Sequence, residues 1–133
     1  LQTAAMMAAD YVIIPVSPKF LDMDGVAEVT KTMAELTSGQ GKAWERFIVL
    51  PTMYMRVWRE SGLRLKELVE AFGQMVWPPI PNDPRVMEAP GRGKTLWEYA
   101  PDTKAIKGVE AAGKRIGGYE EALRRIRVLV EGV

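Results

Sequence analysis

Arg46-Phe47-Ile48-Val49-Leu50-Pro51-Thr52 carries no charge and no side-chain hydrogen-bonding group between its first and last residues. A run of strand length that is apolar at every position reads as a strand buried on both faces. Tyr11-Val12-Ile13-Ile14-Pro15-Val16 has the same character. Between the two, Val26, Val29, Met33 and Leu36 recur at helical spacing, after Asp22 or Asp24, either of which can cap a helix start. Thr37-Ser38-Gly39-Gln40-Gly41 ends that helix. Apolar strands alternating with amphipathic helices predict an α/β fold: a parallel sheet with helices on both faces.

The pattern extends both ways. Upstream, Leu1–Ala9 reads as the end of a helix, and Ser17-Pro18-Lys19-Phe20 as a loop. Downstream, Ser61 is a candidate cap for a helix with Leu65, Leu68, Val69 and Phe72 on one face and Gly73 as its stop. Met75–Ile80 predicts a third, short strand. Pro78 and Pro79 cannot donate to a ladder, so it should lie at an edge or end early. Residues 81–101 are rich in proline and glycine and read as a loop. Asp102 or Thr103 then caps a helix carrying Ala105, Ile106, Val109, Ala112 and Ile116, which Gly117-Gly118 breaks. In a final helix from Tyr119 to Val130, Tyr119, Ala122, Leu123, Ile126, Leu129 and Val130 form one stripe. Glu120–Arg124 and Glu121–Arg125 are favourable pairs off that stripe.

Composition narrows the function. The 133 residues suit one domain, and 47% apolar with 26% charged residues is ordinary for a soluble globular chain. The net charge of +1 is uninformative, although residues 85–133 hold ten basic against seven acidic groups. Without cysteine there is no disulfide framework or thiolate metal site. Without histidine there is neither a Ser-His-Asp triad nor a zinc site of the usual kind. No apolar run approaches the roughly 20 residues that span a bilayer, and no basic segment precedes Leu1–Ala9 as a signal peptide requires. A cytoplasmic protein is expected. The chain opens inside an alanine-rich helical pattern, which suggests a longer protein upstream.

Gly91-Arg92-Gly93-Lys94-Thr95 ends like a phosphate-binding loop. The full motif needs a glycine where Glu88 stands, and a strand running directly into it. Neither is present. The longer stretch Ile80-Pro81-Asn82-Asp83-Pro84-Arg85-Val86-Met87-Glu88-Ala89-Pro90-Gly91-Arg92-Gly93-Lys94 resembles the late segment of ParA-type partitioning ATPases, in which Ile-Pro, a basic turn, Glu-Ala-Pro and Gly-Lys follow in order. Ala8-Ala9-Asp10-Tyr11-Val12-Ile13-Ile14-Pro15-Val16, Leu21-Asp22-Met23-Asp24-Gly25-Val26 and Val49-Leu50-Pro51-Thr52-Met53-Tyr54 are similar to other segments of that family, in the same order. The chain departs from the pattern at Lys19, at Met55, at Asn82-Asp83-Pro84 in place of an Arg-Asn-Val-like turn, and at Gly91-Arg92.

The resemblance implies the late half of a P-loop NTPase fold of the deviant Walker A kind, lacking its P-loop. It implies that the strand ends hold a nucleotide base through Thr52, Met53, Ile80, Pro81 and Asn82. It also implies DNA contacts without sequence preference, led by Arg85, with Arg56, Arg92 and Lys94 nearby, Arg59 at a helix start, and Trp58 and Trp97 packing beneath. The full-length family binds ATP and Mg²⁺, dimerises, coats the nucleoid and is stimulated by a ParB-like partner. Its catalytic groups lie upstream of Leu1, so no catalytic or metal residue is assigned here and this chain alone is expected to hydrolyse nothing. Two alternatives stand beside this reading. One is a non-catalytic interaction or DNA-binding module. The other is a MinD-like membrane-associated ATPase, using the final helix with Arg124, Arg125 and Arg127 off its stripe. A helix packed on the sheet, with no stable membrane association, is the favoured expectation.

Overall fold

The computed structural model describes residues 4–5, 8–18, 28, 31, 34–35, 47–56 and 59–132. Its elements are β1 (Val12–Val16), β2 (Phe47–Pro51), α1 (Arg59–Phe72), a 3-10 turn (Gly73–Met75), α2 (Arg85–Gly91), α3 (Leu96–Tyr99), α4 (Lys104–Lys107), β3 (Val109–Ala111), β4 (Lys114–Ile116) and α5 (Gly118–Glu131). Ala4, Ala5 and Ala8 are helical, as are Glu28, Lys31, Ala34 and Glu35. The expected stripe of Val26, Val29, Met33 and Leu36, and its candidate caps Asp22 and Asp24, lie outside the described residues.

β1 and β2 pair in parallel, from Val12↔Phe47 to Val16↔Pro51. Thr52 N–H extends the ladder by donating to the Val16 carbonyl at 2.8 Å. Successive side chains of a strand point to opposite faces, and β2 accordingly feeds two cores. On one face, Phe47 and Val49 pack with Val16 and with Leu68 and Phe72 of α1. On the other, Ile48 packs with Trp77, Ile80, Ala105 of α4 and Ala122 of α5. Helices thus cover both faces of β2, the α/β arrangement that an unbroken apolar strand demands. β1, expected to be buried on both faces as well, is not: Ile13 and Pro15 share one face and are exposed there, while Val16 is buried.

The third segment runs beside β2 but is not a regular strand. Trp77 N–H donates to the Val49 carbonyl (2.9 Å) and Ile80 N–H to the Pro51 carbonyl (2.8 Å). Parallel bridges join Val49 to Val76 and Tyr54 to Pro81. A continuous parallel ladder would next need the N–H groups of Pro51 and Pro79, and neither exists. The chain therefore skips to Ile80 for its next donor, which lets Trp77 and Ile80 reach the same core. The prolines end the ladder early, as expected.

Four further expectations are corrected. The helix expected from Asp102 or Thr103 to Ile116 is one turn, α4, capped by Thr103 Oγ1 accepting from Ile106 N–H at 3.2 Å. It is followed by an antiparallel hairpin, Val109↔Ile116 to Ala111↔Lys114. The two residues between its strands, Ala112 (φ 51°) and Gly113 (φ 77°), both have positive φ, the requirement of a tight two-residue hairpin turn. The expected loop over residues 81–101 contains α2 and α3. Ser61 does not cap α1, which has already begun at Arg59; it is buried and its Oγ finds no hydrogen-bond partner. In α5 only part of the stripe is covered. Ala122 is buried and Tyr119 and Ile126 pack beside it, while Leu123 and Val130 are 52% and 72% exposed.

Gly117 and Gly118 fix where α5 begins. Both are buried with φ near +80°. A Cβ on Gly117 would strike the Pro79 carbonyl, and Gly118 N–H donates to that same carbonyl at 3.1 Å. The tight approach docks α5 on the third segment and brings Tyr119 to the end of the sheet.

Candidate functional site

The carboxyl ends of β2 and of the third segment open into a cavity of about 290 Å³. Such strand ends are where open parallel sheets hold ligands. The volume lies at the small end of the range for ligand sites, about 300–1,000 Å³, and suits one part of a larger molecule. Thr52, Met53, Ile80, Pro81 and Asn82 all line it, together with Asp83, Pro84, Val86 and Met87 from the start of α2 and Tyr119 from α5. The five residues assigned to a base from sequence are therefore neighbours around one space. Ile80 and Pro81 are buried walls, and Thr52 and Asn82 are half-buried and polar.

Hydrogen bonds hold this end in shape. Tyr54 N–H donates to the Ile80 carbonyl (3.0 Å) and Asn82 N–H to the Tyr54 carbonyl (2.8 Å). Between Thr52 and Tyr54, Met53 is held at φ 53°, a conformation that costs a non-glycine residue on the order of 1 kcal/mol or more. Its side chain is about half exposed at the cavity. Backbone bonds at Thr52 and Tyr54 clamp it from both sides.

Asp83 is the feature the sequence reading passed over. Its side chain is 4% exposed. One carboxylate oxygen, Oδ1, accepts from Arg85 N–H (3.0 Å) and from Arg85 Nε (3.1 Å), and Oδ2 accepts from Arg85 Nη2 at 2.9 Å. The backbone bond caps the first turn of α2. The two side-chain bonds form the fork of a bidentate pair. The Arg85 guanidinium holds the Asp83 carboxyl below the usual carboxylate range, against the upward push of burial. Asp-Pro before a helical stretch is a helix-start signal that was available in Asp83-Pro84. Val86, Met87 and Tyr119 carry no such signal, because they reach the cavity only through the packing of α2 and α5.

The other expected DNA contacts are placed separately. Arg85 begins α2, while Arg92 follows its end and Lys94 lies two residues further on, all three exposed. Arg56 approaches the Glu110 carbonyl of the hairpin at 3.5 Å. Arg59 is the exposed first residue of α1. Trp58 lies outside the described residues, and the Trp97 ring packs on Tyr119, with centroids 6.1 Å apart. The Gly91–Thr95 segment joins two short helices. Thr95 caps α3 in a reciprocal box with Glu98, and the Thr95 N–H donated to the Glu98 carboxylate lowers its pKa. Tyr99 Oη donates to Glu88 Oε2 at 2.9 Å, and that carboxylate pushes the phenol's pKa up.

A second, open groove of about 820 Å³ runs along α5, lined by Trp77 and by Arg115, Glu121, Arg124, Arg125 and Arg127. Arg125 lies over the Trp77 ring at 5.8 Å and donates to Glu121 at 2.9 Å. The expected Glu121–Arg125 pair thus forms, while Glu120 pairs with Lys107 at 3.2 Å. Among the described residues, no three acidic side chains cluster to hold a metal ion, and no helix is long and apolar enough to cross a membrane.

No protein-family model matches the chain. Over 103 residues, 73% of the chain, it is 34% identical to the chromosome-partitioning ATPase Soj of Thermus thermophilus, with the match covering 39% of that protein. Over 96 residues, 71% of the chain, it is 32% identical to the chromosome partitioning protein ParA of Caulobacter vibrioides, covering 36% of it. The match spans less than two-fifths of the length of each of these relatives.

Proposed function

We propose, for a chain that belongs to the ParA-type partitioning ATPases, that its cavity at the sheet end holds the base of a bound ATP. One observation carries the reading: Thr52, Met53, Ile80, Pro81 and Asn82 surround a single space at the carboxyl ends of adjacent parallel segments. Ile80 and Pro81 offer apolar walls to the faces of a purine, and Thr52 and Asn82 offer hydrogen-bonding groups to its edge. The triphosphate and its Mg²⁺ receive no residue from the described part of the chain. When bound, they supply the phosphoryl group to be transferred and the charge that neutralises it. This chain's share is binding and orientation.

The complete protein, in this reading, uses ATP to dimerise, binds DNA through phosphate contacts without sequence preference, and releases it when a ParB-like partner stimulates hydrolysis. It works in the cytoplasm on the nucleoid. Arg85, Arg92 and Lys94, around α2, and Arg56 are the cations proposed to meet phosphates. Binding of a fluorescent ATP analogue tests the base site: Asn82→Ala and Thr52→Ala each weaken it several-fold, and unchanged affinity in both overturns it. The purified chain is expected to show no magnesium-dependent ATP turnover.

The exposed apolar residues of α5 favour a second reading, contact with an anionic membrane surface beside Arg124 and Arg127. Flotation with anionic vesicles, compared with neutral ones, decides it.

A further inference from the structure

The neutral fork between Asp83 and Arg85 stands at the junction of the cavity and the start of α2. Asp83 lines the cavity and its side chain is almost fully buried; Arg85 is not among the lining residues, and its side chain is 46% exposed. An ionised carboxylate offers about four acceptor positions. Arg85 fills three of them, two at Oδ1 and one at Oδ2. One position remains, on Oδ2, the same oxygen that holds Arg85 Nη2. While the fork is intact the pair is neutral as a unit, and two of the five guanidinium N–H groups are committed to Asp83. An arginine so engaged keeps three N–H donors, but the carboxylate beside it offsets the charge that would attract a phosphate.

We propose that Asp83 is a ligand-controlled latch on Arg85: a base amine entering the cavity donates to Asp83 Oδ2, loosens the fork, and frees the guanidinium for an anion outside. The proposal rests on the reading that the cavity takes a nucleobase, and it adds how occupancy there is felt by a surface arginine. It also gives a physical role to the Asn82-Asp83-Pro84 turn. Pro84 presets the helix start, so the backbone N–H of Arg85 stays bonded to Asp83 while the side-chain bonds exchange. Glu88, whose field also reaches Arg85, and Lys104, whose field reaches Asp83, make the fork one part of a larger charged cluster.

The test has two arms. In the first, the 133-residue chain is titrated into a fluorescent DNA duplex across a salt series. Asp83→Asn keeps an acceptor for the helix cap and removes the charge. It is expected to bind about three- to tenfold more tightly at low salt, with a salt dependence steeper by about one phosphate contact. Asp83→Asn combined with Arg85→Ala loses that gain. No gain in the single variant, or a gain that survives removal of Arg85, overturns the latch if DNA is bound at all. In the second arm, the unmutated chain labelled with ¹⁵N-arginine is followed by NMR. Adenosine monophosphate is expected to move the Thr52 and Asn82 amides together with the Arg85 Nε–H. Purine riboside monophosphate, which lacks the amine, moves the amides only. Amide shifts with an unmoved Arg85 Nε–H under adenosine monophosphate overturn the latch and leave the base site standing. No shift anywhere overturns the base site and the latch with it. If no variant binds the duplex, the DNA reading fails and the second arm alone decides the latch.

Discussion

β2 and the stretch from α4 to β4 are both short, yet they obey different rules. In β2, every residue is committed by burial: Phe47 and Val49 belong to one core and Ile48 to the other. From Thr103 to Ile116, only Thr103, Ala105, Ile106 and Gly108 in and around α4 are buried, and β4 is exposed at every position. Burial dictates the first region. Backbone conformation at a few glycines and caps dictates the second. Substitutions should therefore act through lost packing in one and through φ angles in the other.

The largest effect is expected in the first region. Leu68 is 1% exposed between α1 and the sheet, so Leu68→Ala should cost about 2–5 kcal/mol in urea unfolding. Gly118→Ala comes next. Its φ of 80° and the Ile106 and Gly108 backbone in the way put the cost at about 2–3 kcal/mol. Gly113→Ala sharpens the contrast. It has a similar φ, but a Cβ there meets nothing, so only the conformational cost of about 1 kcal/mol remains. Val130→Ser, at a 72% exposed position, should change stability by less than about 0.5 kcal/mol. Equal costs for Gly118→Ala and Gly113→Ala would break the distinction between a docked turn and a free one.

Acid provides another contrast. Arg85 lowers the pKa of Asp83 below its ordinary 3.8. At Glu121 burial pushes upward, but the Gly117 N–H and Arg125 outweigh it and bring the value below 4.5. Because folding lowers both, the unfolded chain binds more protons in acid. The stabilisation is complete above the ordinary values and is lost as pH falls through the lowered ones. Unfolding free energy should rise from about pH 2 to pH 5 and then level. Asp83→Asn should flatten part of that rise; an unchanged profile would remove Asp83 from the account.

How much of this was legible in the sequence follows the same division. The two strands, α1 and α5 were legible because burial writes itself into unbroken apolar runs and helical stripes. That Thr52, Met53, Ile80, Pro81 and Asn82 would share one space was legible because they sit where those runs stop; their proposed role toward a base came from the family resemblance. The hairpin was not: Val109, Ala112 and Ile116 also fit a helical spacing, and its deciding feature is positive φ at Ala112 and Gly113. The Asp83–Arg85 fork was only half legible. The Asp-Pro pair announces a helix start, but a buried carboxylate on the cavity wall exists only once α2 has folded back over the strand ends.

The most direct test of the base site compares the two cavities by photolabelling. An azido-adenine analogue of ATP, crosslinked to the chain and mapped by mass spectrometry, should mark peptides containing Thr52–Met53 and Ile80–Met87, with protection by excess ATP. Label confined to the arginine groove of α5, or label that ATP fails to displace, would contradict it.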